Sequence, residues 1–313
     1  MTEAEQYRRE LVGYCYRVLG SASDAEDAVQ ETMVRAWKGA DRFEQRSSMK
    51  TWIYRIATNV CLDMRKAPQR RALPMDLGGP AALDGGTPNL ATRPAEAWIG
   101  PIRTDRLTDD PADAALLRDS VGLAFLAALQ QLPPKQRAVV VLRDVLSWSA
   151  EECAATLETS VASVNSALAR ARSTLAKADA TIERRPADPS ETRVLEQYLA
   201  AFEAYDVDRL VALLADDVVF SMPPYELWLL GAGHVEQWWR GPGEVCRGSI
   251  GVVTSANDRP AIGVYHPARR RPVGAVRARP RRRRRRLRAI THFMGPEVFA
   301  EFELPDHLTS ATR

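Results

Sequence analysis

Polar side chains between residues 160 and 172 have the types and the spacing that recognition of a nucleic-acid duplex requires. The segment SVASVNSALARAR opens with short hydrogen-bonding side chains and ends with arginines. When a helix enters the major groove, its first residues contact base edges and its basic residues hold phosphates. The sequence therefore predicts a DNA-recognition helix whose exposed residues are Ser160, Ser163, Asn165, Ser166, Arg170 and Arg172.

Two further predicted helices must position this face. Pro134 suits a first helical position, because the N–H that it lacks would have no partner there. Ser149 and Glu152 form a capping box at the start of the next helix, and the helix after it begins at Ser160. This order predicts a helix-turn-helix, although an ordinary helical hairpin with a solvated face fits the same pattern. The turn carries Glu158 where glycine is usual, so a left-handed backbone there would be strained.

A second polar array lies on the helix predicted for DAEDAVQETMVRAWK. Ser23 is its expected N-cap, and Glu26 completes a capping box. Its apolar positions, which include Met33 and Trp37, are predicted to face a core. The polar residues on its outer side are Asp24, Asp27, Gln30, Glu31 and Arg35.

The next predicted helix, Met49 to Met64, interleaves aromatic and basic residues. Arg55 and Asn59 are among its polar residues. Such a surface is typical of a platform for unstacked bases. A solvated amphipathic helix has the same composition, so the pattern alone fits either interpretation.

The composition excludes several classes of protein. The 313 residues carry 43 Lys and Arg against 40 Asp and Glu, so the chain is not basic as a whole. Its four cysteines are far apart and form no metal-binding spacing, so we expect no metal, no cofactor and a reducing compartment. The charged N-terminus does not resemble a signal peptide, and no apolar run is long enough to span a membrane. We therefore expect a cytoplasmic protein.

Changes in composition and in hydrophobic periodicity divide the chain into blocks. Residues 1–71 and 112–183 are helical, and a segment rich in Pro and Gly between them, 72–111, is predicted to be a flexible linker. From residue 191 to 304, two helices are followed by strand-like segments and a short helix. The predicted fold is multidomain, with two all-α domains and an α+β domain that has a curved antiparallel sheet.

The first 180 residues resemble an extracytoplasmic-function (group IV) sigma factor of the sigma-70 family. DAEDAVQETMVRAW resembles the region 2 helix, FEQRSSMKTWIYRIATNVCLDMRK the segment that melts the minus-10 element, and LPPKQRAVVVLRDVLSWSAEECAATLETSVASVNSALARAR region 4. The resemblance implies that the outer residues of the first block bind the β′ clamp of RNA polymerase, and that region 4 binds the β flap and the minus-35 element. It also implies that single-stranded minus-10 bases are held by Arg46, Ser47, Ser48, Arg55 and Asn59.

Residues 191–304 resemble a SnoaL-like domain, on the segments VLEQYLAAFEAYDVDRLVALLADDVVFSMPP and WLLGAGHVEQWWRGPG. The resemblance implies a domain that tunes sigma activity, either by contacting the sigma domains or by sensing a small ligand. An anti-sigma protein is a further partner that it leaves open. We expect a sigma factor without catalytic chemistry; a ligand-responsive helix-turn-helix repressor is the alternative, and the clamp-binding block argues against it.

Enzymes with this domain use a carboxylate or histidine as a general base. The candidates are Asp217, His234 and His292, and each has a plain structural alternative: a loop residue, a surface helix residue and a strand residue. An aromatic set fits either a ligand pocket or, as we favour, a hydrophobic core. It consists of Phe220, Tyr225, Trp228, Trp238 and Trp239.

Residues 266–288 are anomalous, because they contain twelve arginines and no acid where the domain should place strands. Six consecutive arginines cannot occupy a half-buried strand without unpaired charge. Three interpretations stay open: a disordered basic loop that binds phosphates, a site for an acidic partner, or a compensated frame slip in a GC-rich gene. A frame slip would leave the sheet incomplete.

Overall fold

The computed structural model describes residues 3–43, 47–64, 70–83, 88–107, 118–177, 189–266, 271–280, 286–305 and 307–308. The chain forms two compact units. The first contains residues 1–71 and 104–185, and the second contains residues 72–103 and 186–313. The prediction of two helical domains and an α+β domain is confirmed.

The first unit begins with three helices: α1 (Arg8–Leu19), α2 (Ala22–Gly39) and α3 (Met49–Met64). Gly20 ends α1 in a left-handed conformation with φ 78°. The N-cap of α2 is Ser21, whose hydroxyl accepts a hydrogen bond from the Asp24 N–H at 3.2 Å. The prediction of Ser23 was wrong because the helix begins one residue before it, at Ala22.

The described residues of this unit form four more helices: α4 (Leu123–Gln130), α5 (Pro134–Val140), α6 (Ala150–Thr156) and α7 (Val161–Lys177). After α5 the chain continues as a wider helical turn over Val141–Val145. The capping box at α6 is confirmed: the Glu152 N–H donates to the Ser149 hydroxyl at 3.1 Å, and the Ser149 N–H donates to the Glu152 carboxylate at 2.7 Å. Helices α6 and α7 form the predicted helix-turn-helix.

The two helical blocks pack against each other around buried arginines. Arg137 of α5 is 3% exposed. Its guanidinium donates to the backbone carbonyls of Leu129 at 2.8 Å and Leu132 at 3.1 Å, and also to that of Val18 at the end of α1. Arg17 of α1 in turn donates to the Ser120 hydroxyl at 2.9 Å. Since the planar fork meets carbonyls from both blocks, Arg137 fixes one block on the other.

The second unit holds a six-stranded sheet in the order β2-β1-β6-β5-β4-β3. Its strands are β1 (Leu214–Ser221), β2 (Trp228–Leu230), β3 (Ile250–Ala256), β4 (Arg259–His266), β5 (Arg271–Pro280) and β6 (Leu287–Met294). The accompanying helices are α8 (Pro189–Glu203), α9 (Val207–Ala212), α10 (Ala232–Arg240) and α11 (Pro296–Glu301). The prediction of an antiparallel sheet was wrong for one pair, since β1 runs parallel to β6.

Strand β5 runs through the arginine-rich segment. It pairs antiparallel with β4 and with β6, so the sheet has no missing strand at this place. The expected gap in the sheet is therefore not found. The consecutive arginines begin at Arg281, after the end of β5, and residues 281–285 lie outside the described residues.

The segment Ala72–Arg103, which we call the strap, is ordered where the sequence predicts a flexible linker. Residues 84–87 within it lie outside the described residues. Besides short 3₁₀ turns and hydrogen bonds between its own two ends, the strap is hydrogen-bonded to the rest of the second unit. The Ala81 N–H donates to the Trp228 carbonyl at 2.8 Å, and the Asn257 N–H donates to the Ile102 carbonyl at 2.9 Å. The composition of the strap does not reveal these hydrogen-bond partners, because they lie outside the strap.

Candidate nucleic-acid interface

The recognition helix α7 is capped as predicted, because the Ser160 hydroxyl accepts from the Ser163 N–H at 3.1 Å. Its buried side is formed by Val164, Leu168, Ala171 and Leu175. The predicted recognition residues do not share one stripe, because side chains meet only at spacings of three, four or seven. One exposed stripe holds Ser163, Ser166 and Arg170, and the opposite flank of the buried side holds Asn165 and Arg172.

The two arginines of α7 are engaged differently. The Arg172 guanidinium donates two hydrogen bonds to the Asp144 carboxylate, from Nε at 3.0 Å and from Nη2 at 2.6 Å. This carboxylate raises the pKa of Arg172. The Arg170 guanidinium donates to the Ser166 hydroxyl of its own helix, at 2.7 Å. Arg172 thus joins α7 to the preceding helical turn, whereas Arg170 lies with the exposed serines.

The outer face of α2 carries an exposed row of charged and uncharged polar side chains. Asp27, Gln30 and Glu31 are exposed as predicted. Two other predicted residues are engaged within the unit: Asp24 pairs with Arg71 at 2.6 Å, and Arg35 reaches both Glu31 at 2.7 Å and Asp63 of α3 at 3.4 Å. Fewer of the predicted residues on this face are therefore free of contacts within the unit than the sequence predicts.

Trp37 belongs to the same face, although the sequence analysis assigns it to the core. Its side chain is 71% exposed, and Val34 beside it is 43% exposed. The buried side of α2 is made of small residues, Ala25, Ala28, Val29, Thr32 and Ala36. These small side chains were the signal in the sequence that Trp37 is exposed, because a helix side that packs through small residues leaves no room for a tryptophan. An exposed indole on a polar helix face is typical of a protein-binding surface.

A cleft of about 270 Å³ lies between α2 and α3. Asn59 lines it as a predicted minus-10 residue, together with Arg35 from the predicted polymerase-binding face. The other lining residues are Gly39, Trp52 and Ile56. The indole and the amide give the cleft a stacking surface and a hydrogen-bonding group, which is what an unstacked base requires.

The other predicted minus-10 residues lie elsewhere. Ser48 caps α3, since its hydroxyl accepts from the Thr51 N–H at 3.1 Å, and Ser47 next to it is partly exposed. Arg46 lies outside the described residues. Arg55 points its guanidinium at Glu158, 3.5 Å from the carboxylate oxygen. Of the described members of this set, Asn59 alone lines the cleft.

Glu158 has the left-handed backbone that the sequence analysis anticipates, with φ 50°. Such a conformation strains a residue that has a Cβ. Its carboxylate meets Arg55 of α3, and nearby the rings of Tyr54 and Trp148 lie 4.8 Å apart. The turn of the helix-turn-helix therefore faces the helix that carries the predicted minus-10 residues.

The three candidate bases of the second unit do not form a site. Asp217 lies within β1, not in a loop, and pairs with Arg288. His234 is exposed and donates from Nδ1 to the Leu230 carbonyl at 2.8 Å. His292 is buried against Phe220, with ring centroids 5.1 Å apart, and burial lowers its pKa to about 4. Its Nε2 has no hydrogen-bond partner within the part of the chain that the structure describes.

The members of the predicted aromatic set differ in how deeply they are buried. Phe220, Trp238 and Trp239 are part of the core, whereas Tyr225 packs against it only partly buried. Among the described residues, no cluster of His, Cys, Asp or Glu side chains is suited to a metal ion. We also find no helix in the described ranges with the length and apolarity that crossing a bilayer requires.

Comparison with known families assigns each part of the chain to a class. The model for sigma-70 region 2 matches residues 4–71, and the model for sigma-70 region 4 matches residues 122–175. The SnoaL-like domain model matches residues 195–295. The two helical blocks are thus those of a sigma-70-type transcription factor, and they precede a SnoaL-like domain.

Individual relatives have the same arrangement. The chain is 42% identical to the extracytoplasmic-function sigma factor SigG of Mycobacterium tuberculosis, over 97% of this chain and 83% of SigG. It is 29% identical to SigJ of the same organism over 71% of this chain. The crystal structure of SigJ superposes with a TM-score of 0.64 and 21% identity, and covers 96% of this chain. The chain belongs to the extracytoplasmic-function RNA polymerase sigma factors, a non-enzymatic family.

Proposed function

We propose that this sigma factor directs core RNA polymerase to its promoters with α2 on the β′ clamp, α3 on the minus-10 element and α7 on the minus-35 element. The observation that carries the proposal is the pairing of an exposed docking row on α2 with a base-sized cleft between α2 and α3. A protein that only bound duplex DNA would need neither. Because core polymerase is intracellular, we place the protein in the cytoplasm.

The minus-10 element is captured at the cleft that Trp52 and Asn59 line. A flipped base stacks on the indole, and the amide supplies a donor and an acceptor for its edge. Stacking of this kind contributes about 1–3 kcal/mol per base. This binding favours the unpaired strand and so promotes opening of the promoter.

The minus-35 element is read by the stripe Ser163, Ser166 and Arg170. The two serines face base edges, and Arg170 contacts a phosphate or a guanine. Asn165 stands on the other flank of α7, beside Arg172, and contributes less. This assignment narrows the six residues named from the sequence to the three that share one exposed stripe.

The SnoaL-like domain regulates initiation through the strap. The strap is the first part of the chain that connects region 2 to region 4, and it is hydrogen-bonded to the SnoaL-like domain. The domain therefore holds part of the chain between the two promoter-binding regions. An anti-sigma protein and a small ligand of this domain remain partners that we propose from family resemblance only.

Run-off transcription with purified core polymerase and a promoter library tests the proposal. We expect transcripts from one class of promoter with the full chain, and none with core polymerase alone. Asn59→Ala should lower transcript yield from duplex promoters more than from templates that are already unpaired around the minus-10 element. Tight duplex binding without polymerase, together with no transcript, would instead favour a ligand-responsive repressor.

A further inference from the structure

The turn that follows helix α6 has a backbone that favours glycine at position 158. The Thr159 N–H donates to the Ala154 carbonyl at 3.0 Å, and the Leu157 N–H donates to the Cys153 carbonyl at 2.9 Å. In this hydrogen-bonding pattern the residue after the helix takes a left-handed backbone, which glycine adopts without strain. Glu158 adopts it with φ 50°, although it has a Cβ. The reason for a glutamate at this position therefore lies outside the turn.

The carboxylate of Glu158 meets the helix that carries the predicted minus-10 residues. Its Oε1 atom lies 3.5 Å from Nη1 of Arg55, whose side chain is 31% exposed. Arg55 follows Trp52 by three residues and precedes Asn59 by four, so the three side chains share one side of α3, which is not fully buried. The Glu158 carboxylate therefore lies beside the side of α3 that we propose binds the minus-10 element.

Glu158 is a weak partner for Arg55. A guanidinium makes its strongest contact when two of its nitrogens meet two oxygens of a carboxylate or a phosphate. Here Nη1 approaches one carboxylate oxygen, at a distance longer than that of a normal hydrogen bond. The buried Nε of Arg55 has no hydrogen-bond partner among the described residues. A phosphate that engages both nitrogens is therefore able to replace the Glu158 carboxylate.

An aromatic contact keeps the turn next to α3. Trp148, which lies just before α6, packs on Tyr54 of α3 with ring centroids 4.8 Å apart. Tyr54 is fully buried and Trp148 is 8% exposed. Because Tyr54 is the neighbour of Arg55 in the chain, this packing holds the Glu158 carboxylate at the guanidinium. DNA and Glu158 therefore compete for the same side chain.

We propose that Glu158 is an autoinhibitory side chain, which occupies Arg55 in the free protein and yields it to a phosphate of the minus-10 strand during initiation. The inference rests on the proposed function of α3. An exposed ion pair changes an equilibrium by up to about fivefold, and an apparent affinity falls with the fraction of molecules whose site is free. The carboxylate therefore lowers the affinity for unpaired minus-10 DNA about threefold.

Binding of a fluorescent single strand tests this competition. The probe is the non-template strand across the minus-10 element of the strongest promoter from the run-off library, and full-length protein is titrated into it without polymerase. Glu158→Gln removes the charge, and Glu158→Gly also removes the backbone strain. Both should bind the probe about threefold more tightly than the unaltered chain does. Glu151→Gln is the matched control, because it removes the same charge from an exposed position of α6 and should leave the affinity unchanged.

A double-mutant cycle separates the exchange of partners from a general repulsion of DNA. In an Arg55→Ala background, Glu158→Gln should give no gain in affinity, because no guanidinium is left to release. An equal gain in both backgrounds, or no gain in either, overturns the autoinhibitory role, while transcription by the unaltered chain upholds the proposed function. If the library yields no transcript, the proposed function fails and the inference fails with it.

Thermal unfolding provides a second measurement. Glu158→Gly should keep or raise the unfolding midpoint of the unaltered chain, because glycine relieves the strain of the left-handed backbone. A lower midpoint would assign the glutamate to the stability of the turn and overturn the proposal.

Discussion

The two arginines of α7 have different partners. Arg172 is held by both oxygens of Asp144, whereas the Arg170 guanidinium donates to Ser166 of its own helix. We predict that Arg170→Ala weakens promoter binding about tenfold and lowers the slope of log K against log salt by about 1, because one phosphate contact is lost. Binding titrations with polymerase at several salt concentrations measure both quantities.

Arg172→Ala is the matched control, two residues along the same helix. It removes an ion pair that is partly exposed, so the free energy of unfolding should fall by less than about 1 kcal/mol. The salt slope should stay as in the unaltered chain. If instead Arg172→Ala lowered the slope and Arg170→Ala did not, the assignment of the two stripes would be reversed.

His292 makes the second unit sensitive to acid. Burial lowers its pKa to about 4, below the usual 6.5, so the folded state binds the proton less readily than the unfolded state. Above pH 6.5 the group is neutral in both states and contributes nothing. As the pH falls from 6.5 towards 4, the unfolded state gains a proton first and the unit loses up to about 3 kcal/mol.

We predict that His292→Phe flattens this dependence, because the phenyl ring replaces the imidazole beside Phe220 without a titrating group. Hydrogen exchange of β1 and β6, corrected for intrinsic rates and followed from pH 7 to 4.5, measures the opening free energy. His234→Gln controls for the loss of a histidine at an exposed position. An equally steep pH dependence in His292→Phe would assign the acid sensitivity to other groups.

At the scale of the element, helix α2, which we propose docks on polymerase, exposes a large uncharged side chain among its polar residues. Trp37 is 71% exposed and lies on the same face as Gln30 and Val34. We predict that Trp37→Ala weakens binding to core polymerase by about 2 kcal/mol, or roughly 30-fold, as for a buried aromatic anchor of an interface. The unfolding midpoint should not change, because the side chain has few contacts within the free chain.

Val253→Ala is a control for loss of an exposed apolar group, since Val253 is 51% exposed on β3 of the other unit. It should bind polymerase as the unaltered chain does. Fluorescence anisotropy with labelled sigma factor and core polymerase gives both dissociation constants. Equal affinities for Trp37→Ala and Val253→Ala would remove the indole from the docking surface.

The elements differ in how far local sequence determined them. The capping box of Ser149 and Glu152 and the left-handed Glu158 follow from backbone chemistry within a few residues, and both were predictable. The strap was not, because its hydrogen-bond partners lie more than 100 residues away. Trp37 was misassigned because helical periodicity identifies an apolar stripe but does not say whether a core or a partner covers it.

The site itself was predictable as a set of helices and less so as a set of side chains. The side-chain pattern and the family resemblance predict roles for α3 and α7, but ion pairs engage some of the residues named for those roles. Arg55 is drawn to Glu158 and Arg172 to Asp144, each over a long sequence separation. No pattern in one stretch of sequence reports such pairs, because periodicity describes a helix and not the neighbour that it meets.

At the scale of the whole molecule, the regulation that we propose depends on how firmly the SnoaL-like domain holds the strap. The Arg93–Glu226 pair crosses from the strap to the domain. We predict that Glu226→Arg raises the rate of open-complex formation about fivefold, because losing one exposed ion pair and adding a repulsion costs the docked strap about 1 kcal/mol.

Glu236→Arg makes the same charge change on α10, where Glu236 pairs with Arg240 of its own helix. It should leave the rate unchanged, which separates release of the strap from a general effect of positive charge near DNA. Open-complex kinetics for the two variants measure the difference, and equal rates would mean that leaving the domain is not a step on the path to initiation.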